Sequence, residues 1–373
     1  MHPEKKTTTS MPIINYNGAT AEIFEFCSKA GHREYHVIVH ATNPLDTFQE
    51  QYLAVRTAAM LVQKEHLADA QPVMKRYFVS DATNQALFIK EKGAVSIIQQ
   101  PPLDGTKVAL WIHFLSDIQI TVSENHTEYD WDGLHHLWIS NMHAQGEDSH
   151  EQALAIFDQY VNELKEQRCT LADNCIRTWL FINDVDNRYK GMVRARNEVF
   201  AQQGLTDHFI ASTGIAGRQA DPRIFVQMDA YAIRGIMPSQ IHYLHAADHL
   251  NRTSEYGVSF ERGTYIDHSD RRHIFISGTA SINNQGQVMH EHDIRRQTDR
   301  MLENVQALLS EAGATYADVA PMIVYLRDTA DYIVVRDIYE ECFPQKPVVF
   351  LLAPVCRPGW LIEMECMAVL NLA

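Results

Sequence analysis

The sequence has no excess of basic residues. Its 373 residues carry 32 Lys and Arg against 47 Asp and Glu, a net charge of −15. A protein that follows nucleic-acid phosphates needs a cationic surface, so that class is excluded. Small anions are not, because a few buried arginines can hold a carboxylate inside an acidic shell. No window of about 20 residues is free of charge, which excludes a transmembrane helix and a membrane partner. Residues 1–12 run through two lysines into Thr-Thr-Thr-Ser without an apolar stretch, and read as a disordered leader rather than a secretion signal. Cys27, Cys169, Cys175, Cys342, Cys356 and Cys366 form no CxxC pair, which points to reduced thiols and a cytoplasmic location. No HExxH or similar ligand frame appears among the 19 histidines, so neither a metal nor a cofactor is expected. Glycine and proline are few, and 46% of the residues are hydrophobic. That composition excludes disordered and collagen-like chains and fits two or three globular units.

What is present is repetition. Three stretches share one pattern: Leu67-Ala-Asp leading into Tyr77-Phe-Val, Leu171-Ala-Asp into Trp179-Leu-Phe-Ile, and Tyr316-Ala-Asp into Ile323-Val-Tyr-Leu. Each is a polar loop followed by a β-rich run, and each run ends at an acid. Before each lies a helical spacing of three and four: Phe48 to Val62, Leu154 to Leu164, and Ile294 to Leu309. Before each helix lies a strand, and two of these are near copies, His136-Leu-Trp-Ile-Ser and His273-Ile-Phe-Ile-Ser. Second helices are expected at 189–203 and 332–342, and closing strands at 108–115, 224–233 and 360–370. In the first unit an irregular stretch, 83–93, replaces the second helix. The division is then 1–30 as leader and irregular segment, 31–125 as a degenerate unit, 130–240 as the middle unit and 255–373 as the last. The fold class is α+β, with tandem two-layer sandwiches.

The last unit resembles the Rid/YjgF family. The resemblance is carried by His273-Ile-Phe-Ile-Ser-Gly-Thr-Ala, the helix ending Glu311-Ala-Gly-Ala, Val324-Tyr-Leu-Arg-Asp and Ile362-Glu-Met-Glu-Cys-Met-Ala-Val. That family forms homotrimers with clefts between subunits, so three fused copies imply a pseudo-trimer. A wider resemblance covers most of the chain. Ile98-Gln-Gln-Pro-Pro-Leu-Asp-Gly-Thr-Lys-Val-Ala-Leu-Trp, Arg196-Asn-Glu-Val-Phe, Ala211-Ser-Thr-Gly-Ile and Val258-Ser-Phe-Glu-Arg-Gly are similar to the chorismatases. These are Rid-like enzymes that split chorismate into pyruvate and a cyclic acid without a cofactor. The resemblance implies that Glu363 protonates the enolpyruvyl methylene. It also implies that Cys356, seven residues before Glu363, marks the branch making 3-hydroxybenzoate, with Gly263 as the glycine of that branch.

The residues themselves bear on this reading. Alternation puts Glu363 and Glu365 on one strand face, roughly 6.5–7 Å apart. The alternative is a solvated polar face. Glu363 matches Gln227 in the middle unit and no acid in the first, and this asymmetry favours one surviving cleft where the last unit meets a neighbour. Protonating carbon needs a carboxyl held neutral by desolvation, and Glu363 is flanked by apolar residues. For Cys356 the alternative is a small buried apolar residue. Chorismate is anionic, and Arg196, Arg262 and Arg327 are the candidate clamps, with Ser212, Thr213 and Tyr325 as hydroxyl donors. The chain departs from Rid deaminases in having no arginine after Phe343-Pro344. A deaminase and a non-catalytic binding module are the competing readings. With all three units in one chain, a monomer suffices and a dimer remains compatible.

Overall fold

The computed structural model describes residues 8–10, 13–67 and 69–372. The first unit contains β1 (Thr8–Ser10), β2 (Ile14–Tyr16), β3 (Ala19–Cys27), β4 (Arg33–Ala41), α1 (Phe48–His66), β5 (Ala70–Val79), α2 (Ala82–Gln85), β6 (Val95–Gln99) and β7 (Val108–Ser116). The middle unit contains β8 (Ile120–Val122), β9 (His126–Trp131), β10 (Leu134–His143), α3 (Ser149–Glu166), α4 (Leu171–Asn174), β11 (Cys175–Ile182), α5 (Val185–Gln202), β12 (Ala211–Ala216) and β13 (Val226–Arg234). The last contains β14 (Ile241–Leu244), β15 (Gly263–Asp267), β16 (Arg271–Ala280), α6 (Ile294–Glu311), β17 (Val319–Leu326), α7 (Tyr332–Cys342), β18 (Val348–Leu352) and β19 (Ile362–Asn371).

Each unit makes one mixed sheet. The strand orders are β1-β3-β4-β7-β5-β6 with β2 beside β3, β12-β11-β13-β10-β9-β8, and β14-β15-β16-β19-β17-β18. In all three, one parallel pair and a closing antiparallel strand recur at matching places. The long helices cover one face of each sheet. The other faces pack together, with Trp111 and Phe78 from the first unit, Trp138, Trp179 and Tyr231 from the middle, and Phe275 and Tyr325 from the last in one core. Among the described residues, no helix is long and apolar enough to cross a membrane.

A buried glutamine fixes each long helix to its sheet in the same way. Gln51 donates to the Asn43 and Asp46 carbonyls and accepts from the Lys107 amide. Gln152 donates to the Gly146 and Arg223 carbonyls and accepts from the Phe225 amide. Gln297 donates to the His290 and Gly359 carbonyls and accepts from the Leu361 amide. In each unit the side chain satisfies backbone groups at the entry to the closing strand, groups that burial would otherwise leave costly. This repeated device belongs to the triplication as much as the strand patterns do.

One expectation is corrected. The segment before residue 30 is not irregular: β2 and β3 form a hairpin, and β3 pairs with β4 along nine positions, Ala19↔Ala41 to Cys27↔Arg33. Asn17-Gly18 makes the turn, and Gly18 sits at φ +77°, where a glycine is favoured. Alternating Ala-Thr-Ala-Glu-Ile-Phe-Glu-Phe gives β3 its buried face. The expected leader at 1–7 and 11–12 lies outside the described residues, while 8–10 pair with β3.

Candidate active site

Register identifies equivalent positions in the three units. Tyr325 faces Glu363 across β17 and β19, Phe181 faces Gln227 across β11 and β13, and Phe78 faces Ala109 across β5 and β7. Glu363 therefore stands where the middle unit has Gln227 and the first has Ala109. Two residues on, the set is Glu365, Asp229 and Trp111. Neither glutamate lies on a solvated face: Glu363 is 5% exposed and Glu365 2%.

The two carboxylates have different fates. Glu365 points to the common core, where Arg177 Nη2 lies 2.7 Å away and Arg76 Nη1 3.4 Å away. The Trp179 indole and Tyr325 hydroxyl donate to it at 3.1 and 3.0 Å. Arg76 also pairs with Asp229 at 3.0 Å, so two cations and two anions from all three units neutralise one another. Glu363 instead lines a cavity of about 760 Å³ between the middle and last units. Burial, and then the nearby Glu365 charge, push its carboxyl up to about 8 against the opposing pull of Arg262 and Arg177. It is thus a carboxylic acid at neutral pH. Gly278 makes room for it, since a Cβ there would sit 2.2 Å from Glu363 Oε1.

The walls come from both units. Helix α5 presents Asp186, Tyr189, Lys190, Val193, Arg196 and Asn197, one helical face at spacings of three and four. The last unit supplies Phe260, Arg262, Gly278, Cys356 and Trp360. The guanidinium carbons of Arg196 and Arg262 lie 5.6 and 5.5 Å from the Phe260 ring centre, so cations flank this aromatic side chain. Cys356 is half-buried; desolvation first, and then Glu363, push its thiol up to about 12. It therefore stays protonated and is no nucleophile at neutral pH.

Of the expected site residues, Glu363, Cys356, Arg196, Ser212 and Arg262 come together in the cavity. Four do not. Gly263 packs between strands, where a Cβ would meet Leu244 Cδ1 and the Phe275 carbonyl at 3.0 Å. Gly263 opens β15, and it is Arg262, just before the strand, that lines the cavity. Alternation along β12 sends Ser212 to the cavity and Thr213 to the core. Tyr325 binds Glu365 in the core. Arg327 pairs with Asp186 at 2.8 Å and donates to the Val355 carbonyl at 2.6 Å, so it braces the rim rather than lining the cavity. Sequence reasoning passed over Tyr189, although it sits seven residues before Arg196 on one helical face. It also passed over Gly278, whose Ser-Gly-Thr context carried the signal.

Among the described residues, Glu34, His36 and His113 form a group close enough to hold a metal ion. Its geometry suits hydrogen bonding better. The His36 and His113 rings stack at 4.4 Å with planes 18° apart. His113 Nε2 and His36 Nε2 lie 3.0 and 3.3 Å from the same Glu34 oxygen, and the Trp111 indole donates to His36 Nδ1.

Comparison with known proteins adds four findings. A family model described as endoribonuclease L-PSP matches residues 262–370. The chain is 30% identical over 213 residues to a 3-hydroxybenzoate synthase of Streptomyces hygroscopicus, a match spanning 51% of this chain and 62% of that protein. It is 36% identical over 97 residues to a RutC family protein of Pyrococcus abyssi, spanning 26% of this chain and 76% of the relative. Among solved structures, a chorismatase aligns with a TM-score of 0.65 at 16% identity, covering 80% of this chain and 92% of the other.

Proposed function

The chain belongs to the Rid/YjgF superfamily, represented among its relatives by the RutC family, and has the fold of a chorismatase; from that premise we propose that it splits chorismate into pyruvate and a cyclic acid, with 3-hydroxybenzoate as the favoured product. The observation that carries the reading is Glu363: a buried acid, neutral up to about pH 8, in a cavity flanked by arginines, at one of three equivalent positions.

The chemistry follows from that acid. Glu363 donates its proton to the methylene carbon of the enol ether, and the ether carbon becomes an oxocarbenium centre. Water adds there, and the resulting hemiketal collapses to pyruvate and a ring alcohol. The dihydrodiol route consumes one water overall. The 3-hydroxybenzoate route also expels a ring hydroxyl as water, so it consumes none. Cys356, a neutral thiol beside the ring, steers this choice by shape or by a proton. In this reading Arg196 and Arg262, the latter oriented by its hydrogen bonds to Asn251, hold the two carboxylates, and Ser212 adds a hydroxyl. Because the cavity lies between units of one chain, a monomer is sufficient.

The experiment is to supply chorismate and follow pyruvate and aromatic product. Pyruvate release that Glu363→Gln abolishes supports the reading. Ammonia from a 2-aminoacrylate-type enamine, with no pyruvate, replaces it with a deaminase. Binding without either product leaves a non-catalytic binding module.

A further inference from the structure

Strand β12 alternates, so Ser212 and Gly214 line the cavity while Thr213 faces the core. There the Thr213 hydroxyl accepts from Arg177 Nη2 at 2.5 Å and from the Gly278 amide at 2.9 Å, and it donates to the Glu365 carboxylate. A hydroxyl has one proton and two lone pairs, so its bonding capacity is full. The partners bracket Glu363. Glu365 is two residues along the same strand. Gly278 faces the Glu363 carboxyl so closely that no Cβ fits, and the Thr213 methyl is 3.1 Å from that same Cβ position.

We propose that Thr213 is a positioning residue for Glu363: reaching across from the middle unit, it pins the Gly278 peptide and the Glu365 carboxylate of the last unit, leaving the Glu363 carboxyl a single slot that opens on the cavity. The geometry stands by itself, while its kinetic consequence rests on Glu363 acting as the proton donor. Two effects of the pin run in one direction. It engages the Gly278 N–H, which would otherwise be free to stabilise an ionised Glu363. It also stabilises ionised Glu365, whose charge opposes a second charge nearby. Both keep Glu363 protonated.

The test is an infrared titration of the intact, substrate-free protein, with the Glu363 carboxyl band assigned by its loss in Glu363→Gln. Thr213→Val should lower the midpoint by about one pH unit, and Thr213→Ser, which keeps the hydroxyl, should restore it. With chorismate, Thr213→Val should cost about 10–100-fold in kcat with little change in KM, and its basic limb should move to lower pH. A purely structural threonine would lower stability without moving the midpoint. An unmoved midpoint in folded Thr213→Val overturns the proposal. If that variant does not fold, Gly278→Ala takes its place: it should displace the carboxyl and move the midpoint, and an unmoved midpoint there overturns the proposal equally. A shifted midpoint without pyruvate release by the wild type supports the positioning role and removes the chorismatase reading. Wild-type turnover with an unmoved midpoint does the reverse.

Discussion

At the cleft between the middle and last units, register puts Arg262, Ala280 and Glu363 where the cleft between the last and first units has Glu22, His40 and Ala109. The first cleft holds a cation and a neutral acid around about 760 Å³. The second, about 460 Å³, has its charges tied to one another. His40 lies 3.5 Å from Asp104 and 3.8 Å from Glu22. Burial works against its charge, but the two carboxylates outweigh it and hold the ring protonated up to about pH 10. That proton is locked in an ion triad, and alanine occupies the acid's place. At the third junction Asn141 fills the space, accepting from Gln227 at 2.7 Å and from the Ile97 amide at 3.1 Å. Matching backbones thus leave one cleft lined by a neutral acid. The difference lies in where each charge finds its partner.

The comparison can be broken by mutation. The largest effect is expected from Glu363→Gln, which removes the donor and keeps the shape: a loss of about 10²–10⁴ in kcat with the ligand still bound. Next, Arg262→Ala should raise KM by about 10–100-fold, the worth of one charged hydrogen-bond partner, with a smaller change in kcat. If Arg262 altered kcat alone, its role as a clamp would be wrong.

Stability against pH sharpens the contrast between the clefts. The folded Glu363 binds its proton up to about pH 8, while the unfolded chain releases it near the usual carboxylate value. Between those values the unfolded state binds fewer protons, so stability falls as pH rises. Glu363→Gln should therefore be more stable than the wild type at pH 8–9, by a few kcal/mol at most, and about equal near pH 4. Thermal melts across that range check it. His40 gives the same sign over a higher window. Its contribution is fully present below its ordinary value of 6.5 and lost as pH rises through about 10. The smallest effect is on turnover in the second cleft: Glu22→Gln should leave chorismate kinetics within about twofold, since no reacting group is there.

The triplication was legible because it rests on local patterns, namely helix spacing, β-rich runs and two near-copied strands. The helix 332–342 was read to its ends, and α1, α3 and α6 to within a few residues. The β2–β3 hairpin has its signal in Asn17-Gly18, but the polar run before it carries no strand pattern of its own. Glu363 was legible through the asymmetry among units. Its slot was not. Gly278, Thr213 and Arg177 lie 85, 150 and 186 residues from Glu363 in sequence, and only the packing of three sheets joins them. Alternation correctly separates Ser212 from Thr213. Which of the two meets the cavity depends on the neighbouring unit, and one strand cannot supply that.

The central claim is that one of three equivalent clefts carries the chemistry, with Glu363 as its acid. The most direct measurement is a crystal structure of the full chain bearing Glu363→Gln with chorismate bound. One substrate molecule per chain is predicted, between α5 and β19, with its enolpyruvyl methylene within about 3.5 Å of residue 363, a near-attack distance. Chorismate seated instead beside His40, or in more than one cleft, would contradict the account.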